Sequence, residues 1–434
     1  MPLMLPSAAL LAILTRPPKD EGGAKDGTHS ALQQEPKKDK QTYPFFRLDD
    51  DHPAIHLGKG TRIDFRGRFA ADSKHSEAST DEPDETSTLD LGKKRLGISG
   101  EIVNAVEFQI EAELTNDDPW RDVYADFKSF DVARVRGGKF KIPFSLDENT
   151  GATRLDFMFR SLAATHLAPG RDIGAMVHGR VWNKVIGYEA GVFEHDGKNA
   201  RTNNPDKVYG DRTLAARVTV EPLRNKKDAP GDLSLGVAFT RSDVPEGIPG
   251  VRGQTVLDQT FFSSSKYIVN GERRRTGIEM AFVPGPASIK AEWIRMETER
   301  LGESVEDTDL SPLVGEGWYV SGTYILTGEK KTRMPRPKKP LLQGGFGAVE
   351  VGARIESLEF KSGSSSEQGS TSPRADTILG NRDQAITFGV NWYVNRFIKV
   401  QANFIREKID DPSQGPLPDQ PSFNSRAFRL QFSF

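Results

Sequence analysis

Short blocks in which apolar and polar residues alternate strictly recur along almost the whole chain, and that period of two limits what it can fold into. In Thr61–Ala70 one set of alternate positions reads Thr61, Ile63, Phe65, Gly67 and Phe69, and the other Arg62, Asp64, Arg66, Arg68 and Ala70. Successive side chains of a β-strand point to opposite faces, so this segment has one apolar and one charged side. Val106, Phe108, Ile110, Ala112 and Leu114 likewise oppose Glu107, Gln109, Glu111 and Glu113, and Ile398, Val400, Ala402 and Phe404 oppose Lys399, Gln401 and Asn403. About sixteen such blocks stand between turn signals, each near the roughly 9–11 residues of a tilted membrane-crossing strand. Their approximate bounds are 61–70, 95–103, 105–114, 121–130, 132–142, 171–181, 184–194, 211–221, 232–241, 273–283, 286–299, 316–328, 346–360, 384–394, 397–408 and 423–434.

The connections also alternate. Tight turns at Trp182-Asn183-Lys184, Pro284-Gly285-Pro286 and Val394-Asn395-Arg396 interleave with long polar stretches such as 241–272 and 361–383. Short turns on one side and long loops on the other predict an all-β transmembrane antiparallel barrel of about sixteen strands. No amphipathic helix of three turns is expected. A soluble sandwich would bury its apolar face and scatter single charges on the other, whereas here Arg and Glu cluster on one face in strand after strand, as a water-filled lumen requires. A barrel of that size encloses a channel. Aromatic residues near strand ends (Trp182, Trp318 with Tyr319, Trp392 with Tyr393) predict interfacial girdles. The last strand ends Phe428, Leu430, Phe432 and Phe434 at alternate positions, which looks like the signal outer-membrane barrels present to their assembly machinery.

Composition narrows the classes further. Lys+Arg 59 against Asp+Glu 61 leaves a net charge of −2, which argues against a nucleic-acid partner. No apolar run approaches the roughly 18 residues of a spanning helix. With no cysteine there is no disulfide, thiolate metal site or cysteine nucleophile. The apolar stretch within residues 1–14 has the length of a signal-peptide core, although no Lys or Arg precedes it. Residues 15–44 are rich in Pro, Lys, Asp, Gln and Gly and read as a disordered linker, leaving residues 45–434 for the barrel.

Several segments then resemble the phosphate-selective porin (porin O and P) family. They include Gly138-Lys139-Phe140-Lys141-Ile142-Pro143-Phe144, Phe157-Met158-Phe159-Arg160-Ser161-Leu162, Ala168-Pro169-Gly170-Arg171-Asp172-Ile173-Gly174 and Ala190-Gly191-Val192-Phe193. Further on come 317–329, 347–354 and Gly389-Val390-Asn391-Trp392-Tyr393-Val394-Asn395. Their order and spacing cover nearly all of the chain after the linker. The resemblance implies a sixteen-stranded, homotrimeric channel in the bacterial outer membrane whose arginines draw small anions, phosphate among them, inward. Met158 stands where the family pattern suggests an acidic residue near Arg160, which leaves the partner of Arg160 open.

Anion selectivity needs Arg and Lys along a narrow wet path, and the planar Arg fork suits phosphate oxygens. The expected path residues are Arg62, Arg66, Arg68, Arg134, Arg136, Lys139, Arg160, Arg171, Arg217 and Arg354, with Arg180, Arg275 and Arg429 as further members. The connection 143–170 is too long for an idle loop; the resemblance to porins, whose third long loop in this position folds into the lumen, implies that it sets the constriction, the alternative being an external cap. The connection carries Asp147, Glu148, Arg154, Asp156, Arg160 and His166. The Glu107/Glu111/Glu113 face argues the other way, toward a transverse field and a general diffusion porin. A plugged structural or adhesin barrel is a third reading. No zincin, P-loop or EF-hand motif is present, and Pro53 between His52 and His56 spoils a helical metal pair, so neither enzyme, cofactor nor metal is expected.

Overall fold

The computed structural model describes residues 43–434 except 50–51, 79–88, 115–118, 131, 201–211, 248–251, 264–266, 333 and 364–368. The segments expected to be export signal and linker therefore lie outside the described residues, apart from Tyr43 and Pro44. A hairpin of β1 (Phe45–Asp49) and β2 (His52–Gly58) precedes the barrel. There follow β3 (Thr61–Ser76), β4 (Leu89–Ile102), β5 (Val106–Glu113), β6 (Trp120–Phe130), β7 (Ala133–Lys141), β8 (Arg171–Val181), β9 (Ile186–Phe193), β10 (Thr213–Val220) and β11 (Asp232–Val244). A small hairpin, β12 (Gly253–Gln254) with β13 (Thr260–Phe262), interrupts them. The wall resumes with β14 (Gly271–Val283), β15 (Ala287–Arg300), β16 (Leu310–Ile325), β17 (Ala348–Lys361), β18 (Asn381–Tyr393), β19 (Ile398–Ile409) and β20 (Ser422–Ser433). Each wall strand pairs antiparallel with its neighbour, and β20 pairs with β3 to close the sheet. Leaving aside the two hairpins, sixteen strands form the barrel.

All sixteen blocks expected from alternation are strands. The differences lie at ends, where β3 runs on to Ser76 and β16 begins at Leu310, because tertiary pairing continues beyond the apolar pattern. The β1–β2 hairpin was not legible. It pairs with β3 at Thr61–Asp64, beyond the stretch of β3 that β20 covers, and so continues the wall below the end of the last strand.

Faces follow the period of two. Phe65, Phe69, Ile110, Phe428, Leu430 and Phe432 are exposed on the outside, where a membrane supplies the solvent, and Ile63, Val106 and Phe108 share that face. Leu430 is 53% exposed while its neighbour Gln431 is 0%. At the seam, Gly67 lets the Phe434 ring settle on its backbone; a Cβ there would meet that ring at 2.3 Å. The expected girdle needs one correction: Tyr319 and Tyr393 are each 3% exposed and face inward. Adjacent strand residues cannot share a face, so only Trp318 and Trp392 of those pairs lie outside.

The expectation of tight turns on one side also fails twice, at the β10–β11 connection, residues 221–231, and at a longer one. The β16–β17 connection, residues 326–347, belongs to the tight-turn side, since Lys331 N–H donates to Gly285 O in the β14–β15 turn. It is long because it folds back against the lumen.

Candidate functional site

The loop 143–170 enters the barrel. It carries α1 (Leu146–Asn149) and α2 (Leu162–Leu167), both capped by serines: Ser145 accepts from Glu148 N–H and Ser161 from Ala164 N–H. Residues of the far wall hold it there. Glu292 on β15 accepts the N–H groups of Leu146 (2.9 Å) and Asp147 (3.3 Å), and Glu356 on β17 accepts that of Leu162 (2.6 Å). Asn403 on β19 accepts from Met158 N–H, while Lys399 and Arg429 donate to Leu155 O and Met158 O. Buried backbone groups need partners, and here the wall supplies them.

The loop's own charges are committed. Asp156 binds Lys290 (2.7 Å) and Lys331 (2.6 Å), the latter reaching in from the 326–347 connection and also binding Glu350. Burial would raise the Asp156 carboxyl, but Lys331 and Lys290 outweigh it and hold it below the usual range. Glu148 pairs with Arg160 at 3.1 Å, which settles the partner of Arg160. Burial would raise Glu148, yet Arg160, Lys198, Lys141 and Arg171 bring it down to about 2. His166 is pushed down to about 3 by burial and then by Lys198, so its ring is neutral at ordinary pH.

Between this loop and the β3–β9 wall lies a cavity of about 1030 Å³. Its cationic lining is Arg66, Arg68, Arg95, Arg136, Lys141, Arg154, Arg160, Arg171, Lys330, Arg336, Lys338 and Arg396, against four carboxylates, Glu111, Asp122, Glu189 and Glu329. Most of the wall arginines are already paired. Arg95 binds Glu113 (2.6 Å) and Glu111 (3.0 Å); Arg136 binds Asp126 (2.6 Å) and lies over the Tyr124 ring, 4.3 Å from its centroid. Arg171 forks onto Asp122 at 2.7 and 3.1 Å. Two differ. Arg66 donates to Gln109 at 3.1 Å and makes no ion pair among the described residues. Arg68 is 6% exposed, and its Nε and Nη1 have no hydrogen-bond partner among them.

A sequence profile described as phosphate-selective porin O and P matches residues 63–434. The chain belongs to that porin family. Porin O of Pseudomonas aeruginosa is 28% identical over 139 residues, an alignment covering 31% of this chain and 30% of that relative. Among solved structures, the anion-selective porin from Comamonas acidovorans has a TM-score of 0.53 at 11% identity, covering 86% of this chain and all of the other. The trimer form of OmpT from Vibrio cholerae has a TM-score of 0.52 at 13% identity, again over 86% of this chain and all of the other. These structural likenesses establish the barrel fold, and the family places the protein in the bacterial outer membrane.

In this porin, five of the ten expected path residues line the cavity: Arg66, Arg68, Arg136, Arg160 and Arg171. Arg62 is drawn aside by Asp64 at 3.0 Å. Arg134 spans Glu107 (2.6 Å) and Asp126 (3.1 Å), and Arg217 binds Glu279 and Glu189. Arg354, 3% exposed, pairs with Glu356 and donates to Phe159 O, so it anchors the loop. Lys139 is a correction: it pairs with Val123 and Ile173 on the outward face, one position out of phase with Arg134 and Arg136. Of the further members, Arg429 binds Asp72, Arg275 binds Asp196 and Arg180 binds Glu221. The Glu107/Glu111/Glu113 face is tied up by Lys128, Arg134 and Arg95. Sequence reasoning missed Arg95, Lys141 and the cations of the 326–347 connection. The basic run from Lys330 to Lys339 was visible as a signal, but a turn-side connection gave no reason to place it in the pore.

Proposed function

We propose that this porin lets small anions diffuse passively across the outer membrane along the Arg66–Arg68 wall. The observation that carries this reading is Arg68, more than nine-tenths buried with two guanidinium nitrogens unpartnered, on the wall of a predominantly cationic cavity. A buried, unmatched cation is costly unless an anion can reach it. An entering anion exchanges part of its hydration for charge-assisted contacts with Arg66 and Arg68 and leaves again because two donors on one wall do not enclose it. The general-diffusion reading needs an uncommitted acidic wall, and the glutamates of β5 are committed to ion pairs. The remaining parts of the proposal are phosphate among the solutes, a homotrimer, recognition of the strand ending in Phe434 by the assembly machinery, and the division into signal (1–14), linker (15–44) and barrel (45–434).

Reversal potential in a KCl gradient across a planar bilayer tests the reading. Chloride should be preferred, and Arg66→Ala with Arg68→Ala should lower the anion/cation ratio more than it lowers conductance. The preference should fade as salt rises, because the Debye length shrinks from about 10 Å at 0.1 M to about 3 Å at 1 M. A wild-type channel that prefers cations would falsify the reading.

A further inference from the structure

Two buried carboxyls lie under the β12–β13 hairpin, away from the cationic cavity. Asp383 on β18 and Glu407 on β19 are each 0% exposed. They sit beyond the lipid-facing belt on the long-loop side. The outward residues beside them are Arg382, Gln384, Arg406 and Lys408, whereas the apolar outward run on these two strands starts at Ile386 and stops at Phe404. Both carboxyl oxygens of Asp383 and Oε2 of Glu407 have no partner among the described residues. Oε1 of Glu407 accepts the N–H of Val256, in the turn of the hairpin, at 2.6 Å. Asp383 and Glu407 are within hydrogen-bonding reach of each other; burial, and then Glu407, push the Asp383 carboxyl well above the usual range, and burial raises Glu407 as well.

Two carboxylates in contact in a dry site cannot both be charged. One proton accounts for the orphaned oxygens: Asp383 donates it to Oε2 of Glu407, whose Oε1 keeps Val256 N–H. The neighbouring charges are engaged elsewhere. Glu356 on β17 pairs with Arg354 and accepts Leu162 N–H. His166 on α2 is neutral and hydrogen-bonded to the backbone of Arg252 and Gln254. Asp258 in the hairpin turn is exposed, and Asp411 after β19 caps Ser413 N–H. From β20 the inward residues are Phe423 and Ser425. Besides Val256, the hairpin is held by Asn381 Nδ2 donating to Phe261 O at 2.9 Å and by Phe261 and Phe262 in the apolar cluster.

We infer that Asp383 and Glu407 form a proton-operated latch: with one proton between them they keep the β12–β13 hairpin inside the barrel, and when that proton leaves to water their repulsion releases the hairpin and widens the channel. The latch is independent of which ion the channel prefers. Its folded titration is raised, so the hold is full below the ordinary carboxyl range. It weakens about tenfold per pH unit from there up to the raised value.

The chain has no cysteine, so Val256→Cys supplies a single thiol that reports the hairpin. Maleimide labelling of the refolded barrel is compared with and without Asp383→Asn, whose amide donates to Glu407 at any pH, at about pH 7 and about pH 9. His166 stays neutral at both. Pairing the two variants at one pH cancels the thiol's own titration. At the higher pH, labelling should be about tenfold faster without Asp383→Asn, the effect of one pKa unit, and the ratio should shrink at the lower pH. Single-channel conductance of the wild type should rise over the same interval and stay flat in Asp383→Asn. If that variant does not fold, Glu407→Gln makes the same comparison, because its amide donates to Asp383 and its carbonyl still accepts Val256 N–H. Equal labelling at the higher pH overturns the latch. Slowing of wild-type labelling by calcium, reversed by EDTA, overturns the proton as the group between the carboxyls. Labelling that responds without any change in conductance overturns the widening.

Discussion

The β3–β9 wall and the β14–β20 wall obey the same alternation but enclose different interiors. Inward positions of β3–β7 carry Arg66, Arg68, Gln109, Glu111 and Arg136, and that side stays open. Toward the long-loop ends of β15–β20 the inward positions turn apolar: Ile294, Met296, Leu313, Leu358, Phe360, Ile405, Ile409 and Phe423 are all at most 2% exposed. Loops fill that half. Leu162, Ala163 and Leu167 from α2, and Val256, Phe261 and Phe262 from the β12–β13 region, join the same apolar cluster. The outward face is predominantly apolar in both halves, so it cannot distinguish a channel from a plug. The inward face does: polar inward residues hold water, and apolar ones recruit loops to cover them.

Substitutions on the two sides should therefore behave differently. The largest effect belongs to the filled half. Phe360 is fully buried and stacked on Phe262 at 4.6 Å. Phe360→Ala should cost about 3–5 kcal/mol, read from urea unfolding of the refolded barrel; a shift under 1 kcal/mol would mean the loops do not depend on this core. Next comes the outward face, common to both halves. Phe108→Arg should cost about 2–4 kcal/mol and impair folding into micelles, and normal refolding would put its face assignment in error.

The third effect is a pH dependence confined to the filled half. His166 on α2, with a folded pKa near 3 against an ordinary 6.5, stays neutral in the folded protein while the unfolded chain takes up a proton. Its folded pKa is depressed, so its environment favours folding fully above pH 6.5, and that contribution declines as pH falls toward 3. Melting temperature should drop over this window, and His166→Phe should flatten the drop; an unchanged slope would show that protonation at this position is not felt. The smallest effect lies on the open wall. Arg66→Gln should change stability by no more than about 0.5 kcal/mol while altering selectivity, so a large loss of stability would mean Arg66 is structural after all.

Legibility followed the same division. Ile63, Phe65 and Phe69 against Arg66 and Arg68 could be sorted into faces because side-chain direction in a strand is local. Lys139 could have been sorted too, since it breaks phase with Arg134 and Arg136; a motif that surrounds it drew attention away from its parity. Arg354 and Arg429 were legible as inward but not as anchors. Their partners, Phe159 and Met158, lie roughly 200 to 270 residues away in sequence, and no local pattern encodes that pairing.

By itself the sequence determined the number of wall strands and, apart from Lys139, Tyr319 and Tyr393, the faces read from them. These depend on a period of two and on connection length, which are properties of neighbouring residues. The tertiary structure decided which inward cations remain free. A guanidinium with a carboxylate partner across the sheet is a rivet, and one without is open to a passing anion. That distinction depends on register between strands and on where a distant loop lands, so Arg66 and Arg68 look no different from Arg62 and Arg134 until the barrel has closed.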